Sequence, residues 1–182
     1  MVAASVAILT GLAACGDDPF SFDWSVSEQT VEAVLYSLAR EEMNLESGFN
    51  FYSATTVRIE APNATGMWDV ALDTRDGELG FLPPGAFGID SRARIAALEG
   101  LTLADVTEAP TDTALFVSDG FVPVRAGTTY VIRTGQRAGS FGTRCVYYAK
   151  AEAIDIDAVA GILTFRAVRN PVCNNSRLVP PD

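Results

Sequence analysis

Three groups of side chains have types and spacings that bear on chemistry. The first is the acidic stretch "DVALDTRDGE", which carries Asp69, Asp73, Asp76 and Glu78. Hard oxygen ligands at short spacing suit calcium. The register does not match an EF-hand loop, because Leu72 stands where the first carboxylate belongs if Gly77 is the turn glycine. The alternative is a solvated hairpin, with calcium as a possible cofactor and no other cofactor expected. The second group is Asp155 and Asp157 in "DID". Alternate residues of a strand share one face, and two facing carboxylates can share a proton, hold a cation or hydrolyse a glycosidic bond. A strand end approaching a turn explains them equally well. The third is "RTGQRAGSFGTR", where Arg133, Arg137 and Arg144 stand among three glycines. Guanidinium groups and backbone amides together hold anions. The segment lacks the Lys-Ser/Thr ending of a phosphate loop, so a hairpin loop is the competing reading.

Several chemistries are excluded by composition. The chain has no histidine, which removes Ser-His-Asp triads, Cys-His dyads and His-ligated metal sites. There is no G-x-S-x-G elbow, so Ser140 has no claim as a nucleophile. No serine stands three positions before Lys150, the single lysine. The net charge is −10, which disfavours nucleic acid, whose binding draws on Lys and Arg. Anionic lipid is disfavoured on the same ground. The charge is unevenly spread: residues 16–119 sum to −14 and residues 120–182 to +4. Trp24, Trp68, Tyr147 and Tyr148 offer stacking faces for a sugar or peptide, with core packing as the alternative for the tryptophans. Tyr147 and Tyr148, being adjacent, point to opposite sides of a strand.

The cysteines separate by context. Cys145 and Cys173 lie in "GTRCVYYAK" and "NPVCNNS". Cys15 closes an uncharged run, "VAASVAILTGLAA", too short for a spanning helix of about 20 residues. Small residues lead into it as Leu12-Ala13-Ala14-Cys15, and "GDD" follows. This arrangement resembles the signal and lipobox of bacterial lipoproteins, although no Lys or Arg precedes Cys15. The resemblance covers the signal alone. It implies cleavage after residue 14, a diacylglycerol on the Cys15 thiol, and a location in the cell envelope. Gly16, where an Asp would retain such a protein at the inner membrane, favours the outer membrane in a diderm cell. An exported chain meets an oxidising compartment, where Cys145 and Cys173 are expected to form one disulfide. Its loop would be worth roughly 3–4 kcal/mol. A buried free pair or a metal site is the alternative, and two cysteines without histidine make a poor zinc site.

The elements that must position these groups read as mainly β. Residues 1–14 form the signal, 15–26 an acylated tether and 27–182 one β-rich domain, with a soft internal boundary near 104–113. "TVEAVLY" fits strand or helix and leans to strand. "ATTVRIEAP" alternates as a strand. "MWDVALDTRDGELGFLPPG" reads as a hairpin turning at Asp76-Gly77, with Trp68, Val70 and Leu72 on one face. "IDSRARIAALEG" predicts one short helix near residues 91–99, capped by Asp90 or Ser91 and ended by Gly100. "TALFVSD", "FVPVRAG", "TTYVIRTG", "TRCVYYAKAEAID" and "GILTFRAVRN" read as successive strands. Short strands so spaced imply an antiparallel sandwich or barrel. The function expected is therefore a lipid-anchored, non-enzymatic envelope protein that presents a β-rich surface to a protein or extracellular ligand. A carboxylate-dependent extracytoplasmic hydrolase and a structural subunit of an envelope complex are the alternatives.

Overall fold

Alternating burial along short segments organises residues 30–180, the part of the chain described by the computed structural model. Its strands are β1 (Thr30–Tyr36), β2 (Gly48–Asn50), β3 (Thr55–Val57), β4 (Val70–Arg75), β5 (Glu78–Leu82), β6 (Arg94–Glu99), β7 (Val122–Pro123), β8 (Thr128–Arg133), β9 (Arg137–Ala138), β10 (Arg144–Cys145), β11 (Tyr148–Asp157) and β12 (Ile162–Arg169). One five-stranded sheet has the order β1-β12-β11-β8-β6, the other β3-β2-β4-β5-β7, and β9 and β10 form a separate ribbon. All the pairings are antiparallel. The first sheet takes β1 and β6 from before residue 104 and β8, β11 and β12 from after residue 113, so both sides of that boundary share one core.

The two sheets face each other across that core. One contributes Leu35, Tyr130, Ile132, Leu163 and Phe165; the other contributes Phe49, Val70, Leu72, Leu79 and Phe81. Aromatic edges lock the interface: Phe49 meets Phe165 at 5.0 Å and Phe81 meets Tyr130 at 5.3 Å, both T-shaped. Such pairs add about 0.5–1.5 kcal/mol each beyond burial. The outer faces are partly covered as well. Val106, Ala109 and Leu178 pack on Val131 of β8. Trp68, Ala71 and Leu82 form a third cluster, joined by Ile59, Ala86 and Ile89.

The hairpin β4–β5 turns at Asp76-Gly77, whose φ values of 51° and 79° are the left-handed pair a tight hairpin turn needs. "TVEAVLY" is strand β1, pairing residue by residue with β12. Two further expectations are corrected. The helix near 91–99 is absent; Arg94–Glu99 is β6, paired along its length with β8. Ile95 enters the central core, while Leu98, on the other face, packs against the outer Val131 cluster. Burial on both faces erases a strand's alternation, and a nine-residue helix is marginal on its own. The other correction concerns Trp68. It does not share a face with Val70 and Leu72, because it lies outside β4 and packs in the outer cluster. In "TALFVSD", Thr113–Leu115 is a 3-10 turn, and only Val117 bridges to Ile95. β2 has no counterpart in the sequence reading, and β3 is shorter than its alternation implied. The lipobox, the tether and Trp24 lie outside the described residues.

Candidate binding site at the arginine-rich end

The antiparallel order brings distant arginines to one end of the sandwich. There β6 and β11 begin, and β8 and β12 end. Arg94 stands directly opposite Arg133, which stands opposite Tyr148 on its other side. Arg169 lies one row away, opposite Ala149. The loop before β6 adds Arg92, and the β9–β10 ribbon adds Arg137 and Arg144. Like charges directly opposed on neighbouring strands cost stability. Among the described residues, no carboxylate pairs with Arg92, Arg94, Arg133, Arg144 or Arg169. Toward the other end Arg40 pairs with Glu42, Arg75 with Asp73, and Arg125 with Glu78.

The pairing that does occur at the arginine end is buried. Asp69 is fully buried. Its Oδ2 accepts the Phe51 amide and its Oδ1 the Gly135 amide, both at 2.8 Å. Burial pushes its carboxyl above the usual range, against the amides of Gly135 and Phe51 and the nearby Arg137 charge, which pull the other way. Arg137 Nη2 is 3.9 Å from Asp69 Oδ1, too far for a strong hydrogen bond. Its Nε is buried with no partner. Its guanidinium lies over the Tyr52 ring at 5.5 Å, and Tyr52 meets Tyr147 at 4.7 Å. Burial, with Tyr52 alongside, raises the Tyr147 hydroxyl's pKa. Arg169 Nη1 donates to the Tyr52 carbonyl, and Arg133 Nη1 donates to the Arg92 carbonyl at 2.7 Å. A pocket of about 300 Å³ opens beside this cluster, lined by Trp68, Ser91, Arg92, Gly135, Gln136 and Arg137 among others. Its lining joins Arg92 and Arg137 with one carboxylate, Asp90.

The β9–β10 ribbon is held at its base. Cys145 and Cys173 form a disulfide with Cα atoms 5.1 Å apart. Asn174 reinforces it by donating to the Arg144 carbonyl and accepting the Val146 amide. Gly139 is required by close approach, since a Cβ there would sit 2.4 Å from Cys145 Sγ. The tip presents Phe141 fully exposed, in the left-handed region at φ 54°, ψ 32°. That conformation is an outlier for a bulky residue.

The candidate calcium ligands disperse. Of the candidate calcium ligands, Asp69 lies at the far end of β4 from the turn. Asp73 accepts the Thr74 amide and pairs with Arg75, and Glu78 pairs with Arg125. Among the described residues no cluster of three or more His, Cys, Asp or Glu is arranged to hold a metal. Asp155 and Asp157 share a face of β11 as expected, opposite Thr164 and Ile162, and Asp157 accepts the Ala160 amide in the next turn. No second carboxylate is among the groups acting on Asp69. The expected anion trio is only partly assembled. Arg144 sits across from Ala138, and Arg137 across from Cys145, so the two arginines point to opposite faces of the ribbon. Arg92, Arg94 and Arg169 were missed; the signal was their place at strand ends, visible only once the strand directions are known. Tyr147 and Tyr148 do face differently, Tyr147 toward Tyr52 and Tyr148 toward the outer cluster.

Lys150 was missed too. It is 2% exposed on β11. Its Nζ donates to the carbonyls of Leu103 (2.6 Å) and Val106 (3.0 Å). It thus ties the 101–109 segment to the outer face of its sheet. No family model matches the chain, and no curated protein resembles it significantly.

Proposed function

We propose that this chain is a lipid-anchored, non-enzymatic binding protein of the cell envelope, acting through the arginine-rich end of its β-sandwich. The observation that carries the reading is the row of arginines without carboxylate partners among the described residues, in a chain of net charge −10. A surface that concentrates unpaired, like-charged groups on a rigid scaffold suits an anionic partner better than it suits stability. Leu12-Ala13-Ala14-Cys15 supports the anchor. The disulfide between Cys145 and Cys173 supports an oxidising compartment, where such bonds persist. On this reading the mature chain begins at Cys15, acylated, and the outer membrane is its place in a diderm cell.

Mass spectrometry of protein extracted from bacterial membranes tests the anchor. The expected result is an N-terminal peptide beginning at Cys15 with a diacylglycerol mass, absent from Cys15→Ser. An unprocessed chain in the cytosol with free thiols would overturn the reading.

A further inference from the structure

We infer that the arginine-rich end is a membrane-docking face, which seats on the phosphate groups of an anionic phospholipid surface with the Phe141 hairpin tip inserted. The inference rests on the lipid-anchor reading and adds the orientation of the domain and the chemistry it meets. Three independent observations converge on the same end.

The first is charge. Arg92, Arg94, Arg133, Arg137, Arg144 and Arg169 gather there, joined by Arg177 of the C-terminal segment. Among the described residues the carboxylates nearby are few. Asp69 is fully buried, Asp90 lines the pocket, and Glu108 accepts the Ser176 hydroxyl beside Arg177. Each basic residue near an anionic bilayer contributes about fivefold in affinity. The net negative charge of the whole chain opposes docking only weakly. Asp73, Asp76, Glu78, Asp155 and Asp157 lie at the opposite end. The eight residues of β12 separate the two ends by about 26 Å, some three screening lengths of about 8 Å at physiological salt.

The second observation is the hairpin tip. An aromatic ring fully in water, on a strained backbone, held out by a disulfide-braced ribbon and flanked by Arg137 and Arg144, has the amphipathic layout of an interfacial anchor. Tyr52 and Met67, at the same end, are also exposed. An exposed Val159 at the far end has Arg40 beside it, but that arginine is paired with Glu42.

The third is where the chain enters. Thr30, the first described residue, pairs with Val168, adjacent to Arg169. The fifteen residues from Cys15 to Gln29 span at most about 50 Å even when fully extended. An acylated Cys15 therefore tethers the chain from this end and holds it near the bilayer at high effective concentration.

The test uses the mature chain, residues 15–182, carrying Cys15→Ser, so that neither an acyl group nor the apolar run before it contributes. Co-sedimentation is measured with phosphatidylcholine vesicles, with and without phosphatidylglycerol, at low and physiological salt. The expected result is a preference for phosphatidylglycerol vesicles that falls with salt. The pair Arg94→Gln and Arg133→Gln should weaken it about 25-fold. Phe141→Ser should weaken binding about fivefold or more. Neither variant removes a buried group, and near-ultraviolet circular dichroism checks that both fold. Equal binding to the two vesicle types, or full binding by the variants, would overturn the inference. Displacement by inorganic phosphate at matched ionic strength would overturn it in favour of a small-anion site. Acylation of wild-type Cys15 is read separately by mass, so loss of the anionic preference with acylation intact would discard the docking face and leave the anchor standing.

Discussion

Asp69 shows how one residue can serve two ends at once. Its carboxylate is closed off from solvent and compensates by accepting backbone amides from two loops, Phe51 after β2 and Gly135 after β8. It thereby joins the two sheets at the arginine end. Because burial raises its pKa, the folded chain holds this proton more tightly than the unfolded chain does. Its contribution to stability is therefore complete below the ordinary carboxylate value of about 4 and declines as pH rises through the folded pKa. Chemical denaturation across that range should show this slope in the wild type and lose it in Asp69→Asn. An unchanged slope in the variant would mean Asp69 does not titrate abnormally. The acidic residues of "DVALDTRDGE" looked like one group in the sequence, yet β4 carries Asp69 to the opposite end from Asp76. Local spacing cannot reveal that an acidic residue will be buried by loops 18 and 66 positions away.

At the scale of elements, the strands with one buried and one exposed face were legible. The Asp76-Gly77 hairpin and the strands of the C-terminal half fall largely where alternation and turn residues place them. What escaped was local and had physical causes. β6 is apolar on both faces, so "RIAALE" carried no period to read. β2 is three residues long, too short to show one. "TALFVSD" has the composition of a strand but turns at Asp112, whose side chain accepts the Ala114 amide. The disulfide was legible from context; it joins β10 to the loop beyond β12. Replacing Cys145 and Cys173 by alanine should cost about 3–4 kcal/mol, read as a lowered urea midpoint. A shift below about 1 kcal/mol would show that the loop is already ordered by Asn174 and its neighbours.

For the whole molecule, the organising feature is the separation of charge along the strands. The sequence shows it only as a difference between halves; antiparallel pairing turns it into two ends, because strand starts and strand finishes from both halves meet there. The arginines of the candidate site were therefore only partly legible: Arg133, Arg137 and Arg144 from their loop, Arg92, Arg94 and Arg169 only from topology. Hydrogen–deuterium exchange of the Cys15→Ser chain, with and without phosphatidylglycerol vesicles, tests the polarity directly. The account expects slowed exchange at residues 139–143 and in the loop 90–93, with the turns at 76–77 and 157–161 unchanged. Protection confined to those acidic-end turns, or none anywhere at bound saturation, would contradict it.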